Sequence, residues 1–533
     1  MNKQQSPWAP FQHPNFRFIW IATVVSNIGT WMHDVGAAWL MVTLTTDPLM
    51  IALIQAATAL PIFIFALPAG ALADIVDRRR YLLGVQCIML CTAAALAIVT
   101  WLGASTPWVL IAFTFALGCG AAFSAPAWQA ITPELVPKAQ LGAAVALNST
   151  GINVSRAIGP ALGGLRIVLY GPVLTFALNT ITFIGIIYIL FRWQREPTVA
   201  TLPTERFLHA MRAGLRYARS SPPLQYVLIR AVAFFLFSSV VWALLPLVSK
   251  VQLNQDAGGF GLLVGAIGLG AIIGATQLPK IRRQFSSDQL VMAASIMMAS
   301  AAFGLAMISS LVIACMIMLF VGFAWITALS SLNVAAQNSA PDWVRARVLS
   351  IYLVAFFGSM ALGSGIWGWC AKTLSINDAL IIAAFFQIVA VFITLPFKLK
   401  KGEGIDLAPS GHWPTPIQNT ETDADQGPVL ITIEYDIEPK KRLLFNSHMQ
   451  SLENMRKRDG AFFWSIFTDV ANPNKVLETF MVESWLEHLR QHDRVTQADK
   501  ELQDKIRELT LEMKLPKVSH YVADINVADN SLK

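Results

Sequence analysis

Three ionisable side chains stand inside long apolar stretches of this sequence: His33, Asp34 and Arg156. Charge is costly in hydrocarbon, so residues of this kind mark a proton relay, a substrate path or a buried pair. Asp34 is the candidate proton carrier, because a carboxyl in such a place loses or regains its proton as its surroundings change. His33 projects about 100° away around the same helix, so the two need not share one proton. Arg156 has two readings: the counter-charge that makes Asp34 ionise, or a structural donor to helix carbonyls. Asp34 also has a plainer reading, near the mouth of its span, where it would be solvated and inert. The uncharged polar residues Asn27, Gln55, Gln129, Asn148, Asn153, Asn333 and Gln337 are candidates to line a cavity, or equally to bond another helix. Nothing in the sequence forms a catalytic set.

These residues need elements to hold them, and composition says what kind. The chain is 55% hydrophobic and only 14% charged over 533 residues, whereas soluble domains run near 25% charged. Over residues 1–400 basic residues outnumber acidic ones about two to one, and residues 429–533 are slightly acidic. Such asymmetry points to two regions in different solvents. The basic residues sit at the ends of apolar runs and do not interleave with aromatics, which argues against a nucleic-acid partner. The five cysteines all fall in apolar segments without CxxC spacing, so they read as reduced packing residues. Residues 1–16 are polar, and the run Phe18 to Leu44 is too long for the core of a cleavable signal.

About 20 apolar residues cross a bilayer. Runs of that kind lie near 17–43, 49–72, 81–103, 107–131, 140–168 and 172–192. They resume near 224–249, 259–280, 288–310, 311–338, 346–371 and 376–397. An all-α membrane protein of 12 transmembrane helices is expected. Lys and Arg collect in alternate loops, including Arg78–Arg79–Arg80, Arg192, Arg282–Arg283 and Arg345; the opposite side has only Arg166, Lys250 and Lys372. The positive-inside rule then puts both termini in the cytoplasm, and a cell inner membrane is the expected home. Between the two sets of six, Arg212, Arg216 and Arg219 beside Met211 and Leu215 suggest an amphipathic helix. It either attracts anionic lipid or simply links the halves.

The two sets superpose at an offset of 204 residues: Gly70 on Gly274, Arg78–Arg79 on Arg282–Arg283, Gly118 on Gly322, Pro137 on Pro341, Gly159 on Gly363 and Gly164 on Gly368. The expected organisation is 1–192 and 223–399 as six-helix halves, 193–222 as a middle loop, 400–428 as a linker and 429–533 as a soluble domain. In that domain Val429, Ile431, Ile433, Tyr435 and Ile437 alternate as a strand, and Phe445, Met449, Leu452 and Met455 form a helical stripe. Further strands are expected at 461–468, 478–484 and 518–523, an order that suggests a ferredoxin-like α+β fold.

Two parallel-related six-helix halves are the architecture of the major facilitator fold, and local segments resemble that superfamily. After the second span, Gly70-Ala-Leu-Ala-Asp74-Ile-Val-Asp77-Arg78-Arg79-Arg80 resembles its cytoplasmic gate loop, although Ile75 and Asp77 depart from the pattern and Leu278 replaces the aspartate in the second half. The resemblance implies a close helix approach at Gly70 and arginines that hold the cytoplasmic face closed. The fifth span carries Gly159-Pro160-Ala-Leu-Gly163-Gly164, which resembles the exporter branch; glycines four apart let backbones touch and proline kinks the helix. Pro126-Ala-Trp128-Gln129 through Pro137, with Ser26-Asn27-Ile-Gly29-Thr-Trp31, is similar to the transmembrane secretion effector branch. What this implies is a transporter that exports a small molecule (siderophore, drug or metabolite) using the proton gradient, with no cofactor.

The tail resembles the dimeric α/β-barrel domains related to antibiotic-biosynthesis monooxygenases, through Glu483-Ser-Trp485-Leu-Glu-His488-Leu-Arg490-Gln-His492. That resemblance implies dimerisation or ligand sensing, with a small-molecule-modifying enzyme as the alternative. His488 and His492, four apart, suggest a metal pair. The sequence offers them no evident third ligand, so no metal is expected.

Overall fold

Proline and small polar caps punctuate the chain where the hydropathy changes. In the computed structural model, helices open on Pro14 (α1, Pro14–Leu44), Pro48 (α2, Pro48–Ile75), Pro107 (α4, Pro107–Leu135), Pro172 (α6, Pro172–Arg192) and Pro222 (α8, Pro222–Leu247). Proline suits a first helical position because the amide it lacks would be unpaired there anyway. Side-chain caps open others: Asp77 accepts from the Arg80 amide at the start of α3 (Arg78–Trp101), Asp256 from Gly259 at α9 (Ala257–Ile281), and Ser286 caps α10 (Ser287–Met307). The remaining long helices are α5 (Leu141–Tyr170), α11 (Leu311–Asn338), α12 (Arg345–Thr373) and α13 (Ile376–Thr394), and α7 (Phe207–Ser220) is a shorter helix before α8. The structure describes residues 6–193, 207–341, 343–399, 406–413, 426–511 and 516–523.

Among the described residues, ten helices are long and apolar enough to cross a membrane. Helices α1 and α5, of 31 and 30 residues, match them in length but are not among the ten. They are the two that carry His33, Asp34 and Arg156.

The repeat reappears in the helix boundaries. Pro107 and Leu311, Leu141 and Arg345, and Pro172 and Ile376 open corresponding helices at the same 204-residue spacing. Packing repeats too. A side chain at Gly118 would press on the Ala57 and Thr58 carbonyls of α2, and one at Gly322 on Ile267 and Ala271 of α9. Small residues let backbones approach at the same crossing in each half.

The chain divides into two compact units: Met1–Thr204 with Leu228–Asn333 and Tyr352–Lys398, and Glu205–Val227 with Val334–Ile351 and Leu399–Lys533. The second unit holds a four-stranded antiparallel sheet in the order β2-β3-β1-β4, from β1 (Val429–Asp436), β2 (Phe463–Thr468), β3 (Lys475–Val482) and β4 (Lys517–Val522). Helix α14 (Arg442–Asp459) joins β1 to β2, and α15 (Trp485–Arg494) and α16 (Gln497–Glu508) join β3 to β4. This is the expected βαββαβ order with its second crossover split in two. β3 starts three residues earlier than expected because Lys475 pairs opposite Asp436 at the end of β1. Val429, Ile431, Ile433, Phe445, Met449, Leu452 and Phe480 form its core.

Buried inside that core, Glu478 accepts from Arg456 Nε at 2.9 Å, Tyr435 Oη at 2.8 Å and Trp464 Nε1 at 3.0 Å. A buried carboxylate survives only when partners of this kind satisfy it.

Two expectations for the second unit change. The described part of the presumed linker is docked: the Ser410 amide donates to the Val495 carbonyl at 2.8 Å and Trp413 Nε1 to Gln503 Oε1 at 2.9 Å. The other linker residues lie outside those described. Helix α7 does form, but Arg216 is engaged by Glu487 at 2.9 Å and the Tyr217 hydroxyl by the Ser339 carbonyl at 2.5 Å. That side of α7 therefore faces protein, not lipid headgroups.

Candidate functional site

α5 sits between the two halves because its glycines allow it. A side chain at Gly159 would strike Trp31 and one at Gly163 the Cα of Met32 at 2.9 Å, both on α1; one at Gly164 would strike the Cα of Gly261 on α9 at 2.9 Å. Pro160 lies within the same helix, between the contacts. The glycine motif is therefore a close-packing device facing α1 on one side and the second half on the other.

This packing leaves a cavity of about 450 Å³ between the halves. One wall comes from the first half: Thr30, His33 and Asp34 of α1, Gln55 and Thr58 of α2, Arg156 of α5 and Asn179 of α6. The facing wall comes from the second half and is apolar and aromatic: Trp242, Phe260, Trp325, Phe356 and Phe357. Trp325 meets Trp242 at 5.4 Å and Phe235 at 5.4 Å, edge to face, and Phe235 meets Phe356 at 4.3 Å, an arrangement that holds the rings rigid.

The three ionisable residues picked from sequence thus meet in one cavity. Asp34 is half-buried in its wall. His33 is buried against Phe176, ring centroids 4.7 Å apart, and neither of its ring nitrogens has a hydrogen-bond partner. The Arg156 guanidinium lies over the Trp31 ring at 5.5 Å, with Nε unpartnered, and Trp242 Nε1 is unpartnered too. Among the described residues Asp34 and Arg156 form no ion pair, so Arg156 is placed as a neighbour on the cavity wall rather than a bonded counter-charge. Of the seven amides Gln55 lines this cavity and the others do not; Asn148 Nδ2 donates to Thr132 Oγ1 at 3.3 Å. Asn153 bonds the Ser149 carbonyl of its own helix at 3.0 Å, Gln129 is exposed, and Asn27, Asn333 and Gln337 are half-buried elsewhere. Asn179 of α6, which the sequence does not single out, lines it beside Gln55.

The gate loop also differs from expectation. Among the described residues Gly70 has open space where a side chain would go, and no helix crosses closely there. Asp74 lies on α2, and its side chain is outside the described set. Asp77 caps α3 and Arg80 is exposed. Arg78 bonds Glu134 Oε1 at 2.7 Å and the Ala130 carbonyl at 3.2 Å. Arg79 bonds the Leu190 and Phe191 carbonyls at 3.0 and 2.5 Å, where the negative end of α6 attracts a cation. These bonds brace the first half internally. Its repeat mate Arg282 does the same in the second half, reaching Ser330 at 2.9 Å.

Two bonds between the halves lie at the opposite end, where few basic residues collect. Lys372 pairs with Asp47 at 2.7 Å and Lys250 donates to the Val42 carbonyl at 2.7 Å. Nothing local in the sequence reveals that those lysines have a partner in the other half. Arg230, buried in α8, is equally unmarked in the sequence, yet it pairs with Asp288 at 3.0 Å and bonds the Thr394 carbonyl at 3.2 Å.

Two repeat-related sets of helices around a central polar-and-aromatic cavity are the architecture of a multi-pass membrane transporter of the major facilitator type. The chain belongs to the transmembrane secretion effector family, whose model matches residues 5–528. It is 24% identical over 392 residues to the Staphyloferrin A transporter of Staphylococcus aureus, covering 73% of this chain and 98% of that one. It is 25% identical over 369 residues to the enterobactin exporter EntS of Citrobacter koseri, covering 67% and 85%. In fold it matches the nucleoside transporter NupG with a TM-score of 0.60 at 12% identity, covering 72% and 99%. A bacterial homolog of the lysosomal transporter Spinster, in an inward-facing and occupied conformation, matches at 0.57 and 12%, covering 73% and 98%.

Proposed function

We propose that the chain is a proton-coupled exporter of a small molecule, crossing the cell inner membrane twelve times with both termini in the cytoplasm. The observation that carries this is the cavity itself. Asp34 lies beside unpartnered polar atoms of His33, Arg156 and Trp242, opposite a wall of aromatic rings. Buried polar atoms without partners are rare and call for an explanation; a bound substrate with polar and aromatic parts would satisfy these. Helices α1 and α5 count as spans because they have the length, and the ionisable residues within them, His33, Asp34 and Arg156, line the cavity. The Lys372–Asp47 and Lys250–Val42 bonds support a state closed at the outer end. The names of the two relatives, a staphyloferrin A transporter and an enterobactin exporter, favour a siderophore as cargo.

The test is to compare small molecules retained in cells lacking the chain with those in cells carrying wild type or Asp34→Asn. A compound retained in the deletion, released by wild type and not by Asp34→Asn, is the expected result. Equal retention in all three strains discards the proposal.

We read the tail as a dimerising module of the monooxygenase-like kind that acts on the transporter rather than as an enzyme. Register puts Phe463, Phe467, Leu477, Met481, Leu430 and Tyr521 on one face of the sheet, with Phe463, Phe467 and Tyr521 exposed. An apolar sheet face of this kind needs a cover, and a second copy supplies one. Disulfide trapping of a Ser465→Cys variant in membranes is expected to give dimers. Monomer alone under oxidation removes this reading.

A further inference from the structure

His488 and His492 lie one turn apart on α15, and β4 brings a third imidazole, His520, to them. One nitrogen from each lies within 4.8 Å of the others. The register explains the meeting: His520 pairs opposite Ile431, on the sheet face that packs against the helices. We propose that these three histidines form a binding site for a divalent transition-metal ion of the zinc class.

The geometry fits such an ion. Zinc–nitrogen bonds of about 2.0–2.1 Å at tetrahedral angles place two donor nitrogens about 3.3 Å apart. The Nε2 atoms of His488 and His492 are 3.4 Å apart. Rings of His488 and His520 lie 4.7 Å apart, centroid to centroid, so a rotation of His520 about its side-chain bonds suffices to bring its nitrogen to a shared centre. Outer contacts that orient the ligands are present as well. His488 Nδ1 lies 3.3 Å from Gln491 Oε1, an acceptor that leaves the opposite nitrogen free to ligate. Trp485 packs on His488 and His520 at 5.4 and 5.9 Å, and Trp413 on His492 at 5.0 Å. An aromatic-walled set of three imidazoles, His488 buried and His492 and His520 half-buried, leaves a fourth position for water or another ligand, as open zinc sites do. A hydrogen-bonded histidine pair accounts for two of these residues but gives no role to His520.

The experiment is zinc binding by the detergent-solubilised full chain, measured by equilibrium dialysis, with cobalt as the spectroscopic probe. Wild type is expected to bind one zinc ion per chain and to give the visible absorption of tetrahedral cobalt. Gln491→Ala is expected to weaken binding about 10-fold, within the 10–100-fold range for outer-contact losses, and His520→Ala by more than that. His448→Ala, outside the cluster, should leave binding unchanged. A wild-type chain that binds no zinc overturns the proposal, whatever the variants do. So does equal zinc affinity in wild type and a folded His520→Ala chain, with folding checked by circular dichroism.

Discussion

The two halves share helix spacing, arginine braces and glycine crossings, yet they present opposite chemistry to the cavity between them. The first half supplies Asp34, His33 and Arg156; the second supplies Trp242, Trp325, Phe356 and Phe357. Duplication preserved what packing requires: small residues where helices touch and cations near helix ends. It did not preserve the cavity-facing residues, since those contribute little to holding a half together. The difference teaches that the repeat carries the packing, while the two cavity walls depart from its symmetry.

The sharpest way to break the comparison is at Asp34. Asp34→Asn is expected to reduce proton-driven efflux to background in vesicles while the protein still inserts; unchanged flux would move coupling elsewhere. Next in size is Gly164→Leu. With Gly261 backbone 2.9 Å from where its first carbon would sit, close-packed helices must separate, and overpacking costs about 1–3 kcal/mol or more. Folded yield and thermal stability should fall, whereas Gly70→Leu, with open space around it, should leave both intact. Equal loss in the two variants would refute the distinction. On the aromatic wall, Trp325→Ala should raise the half-saturating substrate concentration roughly tenfold, about 1.4 kcal/mol, with little effect on proton coupling.

A smaller effect is expected in the tail. Burial, then the neighbouring His520 and His492, push the His488 imidazole down from 6.5 to about 3. The unfolded chain therefore takes up a proton below pH 6.5 that the folded domain refuses, so stability is lost as pH falls from 6.5 towards 3. Thermal melts between pH 7 and 5 should show that loss, and His488→Gln should flatten it. Smallest of all is Lys372→Ala. Lys372 is about half-exposed in its pair with Asp47, and such pairs are worth about 0–1 kcal/mol. A modest shift in which end of the cavity admits a thiol reagent is the expected sign, and no shift would mean the pair does not hold that end.

Much of this was written in local pattern. Apolar runs, prolines at helix starts and the recurrence of Gly118 at Gly322 marked the spans and the repeat. Alternation in Val429–Ile437 and the stripe through Phe445 and Leu452 marked the tail. The three ionisable residues were legible because they interrupt apolar runs. Less legible was everything that depends on rotation about a helix axis. Asn27, Asn153, Gln129, Asn333 and Gln337 differ little from Gln55 and Asn179 as residue types, but only the last two turn toward the cavity.

The sequence by itself determined where helices and strands form, because hydropathy, capping and chain stiffness act between neighbours. Tertiary structure alone decided that Asp34 shares a cavity with Arg156 without pairing to it. It decided that Arg78 and Arg79 brace one half, that Arg216 meets Glu487, and that His520 joins His488 across the fold. Those juxtapositions depend on how helices rotate and cross. Packing of the whole chain sets that geometry, and no local stretch encodes it.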